Sequence, residues 1–189
     1  MGMTDWIQSH SSLSLIACAV GLVIALLNVP CLVWPQAVRA GMQAFPRSRI
    51  PAWLLTALDL SWVAWIILHA QLGRFEWVKP YLYGAAPAAF FLIVIFMDEL
   101  LAPRVLGGLL LLLANPVINT ARGHESAWRL VMIGLAYLWA IAGILLVLSP
   151  YYFRRVAEWA NRSEGRCRML GLARLVFGLA LIGLGLTVY

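Results

Sequence analysis

Charged side chains, cysteines and catalytic motifs are all scarce in this chain of 189 residues. It has no Walker loop, no HExxH and no GxSxG motif, which excludes the phosphate loop, helical zinc site and nucleophile elbow that these patterns build. The three cysteines, Cys18, Cys31 and Cys167, form no CxxC motif and no metal-like cluster. We therefore expect no enzyme activity, no metal and no cofactor. The cysteines are interpreted as small apolar residues in or near helices.

Apolar residues, by contrast, are far more frequent than in a soluble protein. They account for 63% of the chain, and charged residues for only 12%, whereas soluble domains average roughly 45–50% and about 25%. A soluble core of this size cannot hide that much apolar surface, so the sequence predicts an integral membrane protein in contact with the lipid bilayer. The net charge of +6 would suggest nucleic acid in a soluble protein. Here the basic residues stand mostly between apolar runs, and we expect no nucleic-acid partner.

The apolar runs predict an all-α fold with six transmembrane helices in a single domain. A span needs roughly 20 predominantly apolar residues. The runs that qualify are about 12–34, 52–70, 81–97, 100–118, 130–151 and 169–189.

Basic residues predict the orientation of these spans. Loops one, three and five hold nine arginines, whereas loops two and four hold four basic residues. Because cytoplasmic loops carry an excess of Lys and Arg, the odd loops are predicted to be cytoplasmic and both termini to lie outside.

The first and last hairpins show a possible internal repeat. They align across the loop without a gap, and they share a membrane orientation, so a parallel repeat is geometrically allowed. The matched positions are Pro35 with Pro150, Arg39 with Arg154, Arg47 with Arg162, and Asp59 with Arg174.

The C-terminal hairpin carries a family resemblance. It begins with LSPYYFRR at 148–155 and continues, after a short polar loop, with MLGLARLVFGLALIGLGL. This segment of about 50 residues resembles small bacterial inner-membrane proteins of the YjeT type, which are two-span hairpins of unassigned function. The resemblance implies a bacterial inner membrane, and it implies no reaction and no catalytic residue. The positions that carry it are Pro150, Phe153, Arg154, Arg155, Arg168, Gly171 and Arg174.

Asp59 is the most unusual residue of the spans. It lies roughly 10 Å from the cytoplasmic end of the second predicted span, and Arg174 lies roughly 8 Å deep in the sixth. An unpaired charge at a helix centre costs about 2.5–3.5 kcal/mol on insertion scales. The depths therefore predict an Asp59–Arg174 ion pair between the hairpins. The alternatives are a proton or ion relay, a docking point for another subunit, or an Arg174 side chain that reaches back to the interface.

The histidines lie in segments that we place on the outer side. His69 is about 15 Å along the helix from Asp59, so the two cannot form one site. With His124 and Glu125, His69 is a candidate for an outer-face metal, quinone or haem site, because imidazole and carboxylate are suitable metal ligands. The alternative is that they are solvated loop residues.

Between spans three and four, Asp98, Glu99 and Arg104 predict a tight turn at the membrane interface. Adjacent acidic residues on a helix point roughly 100° apart, so they do not form a catalytic pair. The alternative is an ion-entry or partner-docking site.

Short loops leave no room for a soluble catalytic domain. We therefore expect a non-catalytic accessory or scaffold subunit that packs with other membrane subunits. One alternative is a small transporter or channel in which Arg174, Asn28 or Ser61 line a path to Asp59. The second is a redox subunit that holds quinone or haem near His69 and His124.

Overall fold

The computed structural model of the chain describes residues 3–96, 100–124 and 126–189, and for residues 3–11 and 75 the backbone alone. The described residues contain helices and no strand, which confirms the all-α prediction. Two short 3-10 helices, Phe45–Arg47 and Gly73–Val78, join longer elements. The α-helices are α1 (Met3–Val33), α2 (Pro35–Ala44), α3 (Arg49–His69), α4 (Lys79–Phe96), α5 (Leu101–Arg122), α6 (Arg129–Leu148), α7 (Tyr151–Ala160) and α8 (Glu164–Thr187).

Six segments are long and apolar enough to cross a membrane, which confirms the predicted number of spans. They are Ser12–Val33, Arg49–His69, Glu76–Phe96, Leu101–Arg122, Arg129–Leu148 and Glu164–Thr187. Several begin or end further into the charged flanks than hydropathy predicts. A helix continues into the headgroup layer because its backbone hydrogen bonds do not depend on side-chain polarity, and long basic side chains reach water from there.

Two short amphipathic helices, α2 and α7, occupy segments that are predicted to be loops. Both lie at the end of the bundle where α1 and α6 end and α3 and α8 begin. Asn161, just after α7, directs its amide nitrogen to the Met42 sulfur of α2 at 3.4 Å. Phe153 of α7 stacks with Phe45, at a ring-centroid distance of 5.3 Å. We call this the basic end, because it holds Arg39, Arg47, Arg49, Arg154, Arg155, Arg162, Arg166 and Arg168.

Helices α1 and α8 form the closest pair. A β-carbon built on Gly21 would lie 2.5 Å from the carbonyl oxygen of Gly178, so only glycine permits this backbone approach. Further along the pair, the Ser14 hydroxyl donates to the Gly185 carbonyl at 2.5 Å. Without apolar driving force between helices in lipid, such close packing and cross-helix hydrogen bonds hold the pair together.

Helices α5 and α6 form a second close pair. A β-carbon on Gly107 would lie 2.7 Å from the carbonyl oxygen of Gly143, and the reverse substitution would meet the same obstacle. Towards the opposite end, residues of both pairs share one buried cluster. It contains Leu13, Ala17, Ala114, Val117, Ala121, Met132, Leu135, Ala136 and Leu181.

Helices α3 and α4 lie outside these pairs. Helix α3 packs on α5, and α4 packs on α3 and on the preceding 3-10 helix Gly73–Val78. None of the 18 residues of α4 is buried. This helix therefore presents most of its surface to the outside of the bundle.

The repeat predicted from sequence reappears in the helix boundaries. Val33 and Leu148, which end α1 and α6, are 115 residues apart, and so are Arg49 and Glu164, which begin α3 and α8. The ten-residue helices α2 and α7 occupy equivalent places, offset by one residue. The packing differs, however, because α1 pairs with α8 whereas α6 pairs with α5. The two hairpins thus have similar helix boundaries, but their helices pack against different partners.

Candidate functional site at Asp59

Asp59 lies near the middle of its span. It follows Arg49, the first residue of α3, by ten residues, which corresponds to about 15 Å along the helix axis. The hydrocarbon core of a bilayer is about 30 Å thick. The carboxyl group is therefore deeper than the sequence count predicts, because α3 begins before its apolar run.

The Asp59 side chain points to α5, where a glycine makes room for it. A β-carbon on Gly108 would lie 2.8 Å from Oδ2 of Asp59. Oδ1 is buried and has no hydrogen-bond partner, and no salt bridge within the described ranges includes Asp59. The α3–α5 interface thus holds an ionisable group that no described residue compensates.

The predicted ion pair between Asp59 and Arg174 is wrong. Arg174 is exposed on α8, beside Cys31 of α1. Helix α8 packs along α1, whereas Asp59 faces α5. The prediction failed because it rested on similar depths of the two charges in the membrane, and depth does not determine which helices are neighbours.

The other residues proposed for a path to Asp59 are bonded within their own helices. The Asn28 amide donates to the Ile24 carbonyl at 2.7 Å, at the α1–α8 interface. The Ser61 hydroxyl donates to the Leu58 carbonyl at 2.9 Å. Neither residue is joined to the carboxyl group by a hydrogen bond.

Chemically, a carboxyl group in this position has two ways to avoid an uncompensated charge. It can hold a proton, or it can bind a cation or a cationic side chain that arrives from outside the chain. Leaving the charge bare at the helix centre costs about 2.5–3.5 kcal/mol on insertion scales. Intramembrane carboxyl groups therefore mark ion paths or assembly sites.

His69 ends α3 and is exposed. Its Nδ1 lies 2.9 Å from the Trp65 carbonyl oxygen, and its ring stacks on the Trp65 indole at a centroid distance of 4.0 Å. This arrangement caps the helix end with one aromatic pair. It suits the headgroup layer, where amphipathic rings are favoured.

His124 is not a solvated loop residue, as one sequence interpretation held, because it is only 1% exposed. Its Nδ1 accepts a hydrogen bond from the Ser126 amide at 3.1 Å, and its carbonyl accepts one from Arg129. Its ring meets the Tyr189 ring edge to face at 5.3 Å. In both candidate histidines Nδ1 thus contacts local backbone.

Tyr189 contacts His124 and covers the loop between α5 and α6. Its hydroxyl donates to the Trp128 carbonyl at 2.6 Å. Burial raises the pKa of the phenol above its ordinary value, because the charged phenolate is disfavoured away from water. The phenol therefore stays a hydrogen-bond donor across the physiological range.

Some predicted residues cannot be placed. Glu125 and the pair Asp98 and Glu99 lie outside the described residues, so the interfacial turn stays a prediction. Arg104 lies in the first turn of α5 with its Nε buried. Among the side chains that the structure describes, no group of three or more His, Cys, Asp or Glu residues could hold a metal ion.

Sequence reasoning missed one contact. Cys31 of α1 and Cys167 of α8 are buried free cysteines on two helices that pack against each other. They lie far apart in sequence, and no spacing motif links them. Only knowledge that α1 pairs with α8 brings them together.

Comparison of the chain with protein-family models, curated proteins and solved structures finds no match. The YjeT-type resemblance of the last hairpin therefore stays a prediction.

Proposed function

We propose that this multi-pass membrane protein is a non-catalytic accessory or scaffold subunit of a larger membrane complex in a bacterial inner membrane. The observation that carries the proposal is the exposure of α4, a span without a buried residue. Among the described elements, α4 packs mainly on α3 and on the 3-10 helix before it. A partner subunit would give this helix the packing that its own chain does not.

The composition of α4 favours a protein neighbour over lipid. Small residues gather in membrane helices where backbones approach closely, as Gly21, Gly107, Gly143 and Gly178 do in this bundle. Helix α4 carries the run Gly84-Ala85-Ala86-Pro87-Ala88-Ala89, yet a β-carbon on Gly84 would meet nothing within 4 Å. Helix α4 therefore has a small-residue segment that no neighbouring helix approaches at Gly84.

The proposed orientation has the basic end in the cytoplasm and both termini outside. It is supported by the excess of arginine at the basic end over the opposite end, since cytoplasmic loops retain Lys and Arg. In this orientation α2 and α7 lie on the cytoplasmic face of the membrane.

Site-specific photo-crosslinking in the native membrane tests the proposal. A photoreactive side chain replaces Phe91 or Ile95 of α4, which are 61% and 66% exposed. Leu138 and Ile141 of α6 are similarly exposed and are the matched controls. We expect α4 positions to give one discrete protein adduct and α6 positions to give lipid adducts. Lipid adducts alone from every α4 position would contradict the proposal.

A small transporter or channel is the second candidate, and the unpartnered Oδ1 of Asp59 favours it. A mid-span carboxyl group that exchanges a proton or a cation needs such freedom from internal partners. The test is proton and monovalent-cation flux into liposomes that contain the purified protein. Flux that is lost in Asp59→Asn supports transport, whereas equal flux in protein-free liposomes excludes it.

A further inference from the structure

A cleft of about 240 Å³ opens at the basic end, between the α2 segment and α7. The end of α2 and the 3-10 helix Phe45–Arg47 form one wall, α7 forms the other, and Leu100 closes the side next to α5. Its principal lining residues are Met42, Pro46, Arg47, Leu100, Arg154 and Glu158. The cleft lies where the spans emerge from the membrane, because α3 and α5 begin within a few residues of it.

The two arginines of this cleft, Arg47 and Arg154, are exposed. Neither makes a hydrogen bond or ion pair with another residue that the structure describes. Arg39, which matches Arg154 in the repeat, instead pairs with Glu164 at 3.9 Å. Glu158 also lines the cleft, so the charged residues among its described lining are two arginines and one glutamate. The unneutralised guanidinium groups point to an anionic ligand.

A second, shallower cleft continues from the first and shares Pro46 and Arg47 with it. It leads over the first turns of α3 and α5, where Ala52, Trp53 and Leu101 form its apolar part. The second cleft has a volume of only about 10 Å³, so the charged head of a lipid would lie in the first cleft and its apolar body on the surface beside Trp53. A free anion would use only the first.

We propose that Arg47 and Arg154 bind the phosphate-bearing headgroup of an anionic phospholipid, with its glycerol and upper acyl region directed along Trp53. Guanidinium groups bind phosphate through paired, charge-assisted hydrogen bonds. Basic pockets between membrane helices on the cytoplasmic side bind such headgroups. The shared chemistry with inorganic phosphate is the phosphate group, and the apolar continuation of the cleft selects the lipid.

Lipid binding to detergent-purified protein, measured by native mass spectrometry, tests this proposal. Dioleoylphosphatidylglycerol and dioleoylphosphatidylcholine are titrated against the wild type and its variants. We expect one phosphatidylglycerol to bind in preference to phosphatidylcholine. Each basic residue near an anionic headgroup contributes about fivefold, so the double variant Arg47→Gln/Arg154→Gln should bind phosphatidylglycerol about thirtyfold more weakly.

Two further variants distinguish binding in the cleft from a general effect of charge and from misfolding. Arg155→Gln removes the same charge from the neighbouring position of α7, which lines a different surface with Tyr152 and Trp159, and should change affinity less than twofold. Glu158→Gln removes the carboxylate of the cleft and should raise affinity about fivefold, a gain that a misfolded variant could not show.

Three results would overturn the proposal. One is equal affinity for the two lipids. Another is equal weakening by Arg155→Gln and Arg154→Gln. The third is displacement of bound phosphatidylglycerol by millimolar inorganic phosphate, which would show that the cleft binds free phosphate. Resistance of the bound lipid to inorganic phosphate supports the lipid as the ligand.

Discussion

At the scale of single residues, the carboxyl group of Asp59 is defined by what it lacks. It has Gly108 beside it and no ion pair with any side chain that the structure describes. Its energetics therefore depend on a proton or an outside partner, and not on a charge elsewhere in the bundle.

This placement predicts independence between Asp59 and Arg174. Residues without shared contacts have additive effects on stability within about 0.3–0.5 kcal/mol. We expect a double-mutant cycle of Asp59→Asn and Arg174→Gln to show no coupling beyond that range, and Asp59→Asn to leave the monomer at least as stable as the wild type. The measurement is reversible unfolding in mixed micelles. Coupling above about 1 kcal/mol would restore the ion pair predicted from sequence.

Two adjacent glycines give a second prediction at this scale. A β-carbon at position 107 would meet the backbone carbonyl of Gly143, whereas one at position 108 would meet the end of the Asp59 side chain. Because a side chain moves more easily than a paired helix backbone, Gly107→Ala should cost more than Gly108→Ala, within the range of about 1–3 kcal/mol for overpacking. Thermal unfolding in detergent ranks the two variants, and the reverse order would contradict the packing described.

The residue scale is also where sequence was least informative. The unusual position of Asp59 could be read from the chain, because charge in an apolar run is costly wherever it lies. Its neighbour Gly108 could not, and neither could the burial of His124 beneath Tyr189. Both depend on which helices meet, and contacts between distant segments leave no periodic signal in one sequence.

At the scale of elements, the bundle consists of two close helix pairs and a loosely attached hairpin. Glycine distinguishes them, since the backbones of α1 and α8 approach at Gly21 and Gly178 and those of α5 and α6 at Gly107 and Gly143. Helices α3 and α4 bury few residues.

The α1–α8 pair should be sensitive to side-chain volume on one face of α8 only. Gly178→Val places a branched side chain against the Gly21 carbonyl, which already lies 2.7 Å from a single added β-carbon. We expect a loss of about 2–3 kcal/mol or separation of the pair. Gly183→Val is the control on the same helix, because nothing lies within 4 Å of that position. Cross-linking between cysteines placed on α1 and α8 reports the pairing, and equal yields in the two variants would contradict this account.

The number of membrane-spanning helices was predictable from sequence, whereas the short helices between them were not. Six spans follow from composition and run length, because lipid requires about 20 apolar residues in each. Helices α2 and α7 were missed since an amphipathic helix of ten residues has too few apolar positions to register as a run. The sequence match between Pro35 and Pro150 indicated their equivalence, since Pro35 begins α2 and Pro150 directly precedes α7.

At the scale of the whole molecule, α4 is a span whose packing surface is unused within the chain. If the proposed partner subunit packs there, a variant on that surface should leave the monomer intact and weaken only the assembly. Gly84→Ile adds volume where the chain itself offers open space, and Gly134→Ile does the same on α6. We expect Gly84→Ile to release the protein from the proposed complex and Gly134→Ile to leave that complex unchanged, as judged by co-purification. Release by both variants would assign the effect to general instability.

The most direct test of the assembly claim is the mass of the native particle. The protein is extracted with a gentle detergent at its native expression level, and the mass and composition of the particle that contains it are determined. The account predicts a stable particle well above the 20.9 kDa of one chain, with another membrane protein in fixed stoichiometry. A monomer, or an oligomer of this chain by itself, would contradict it.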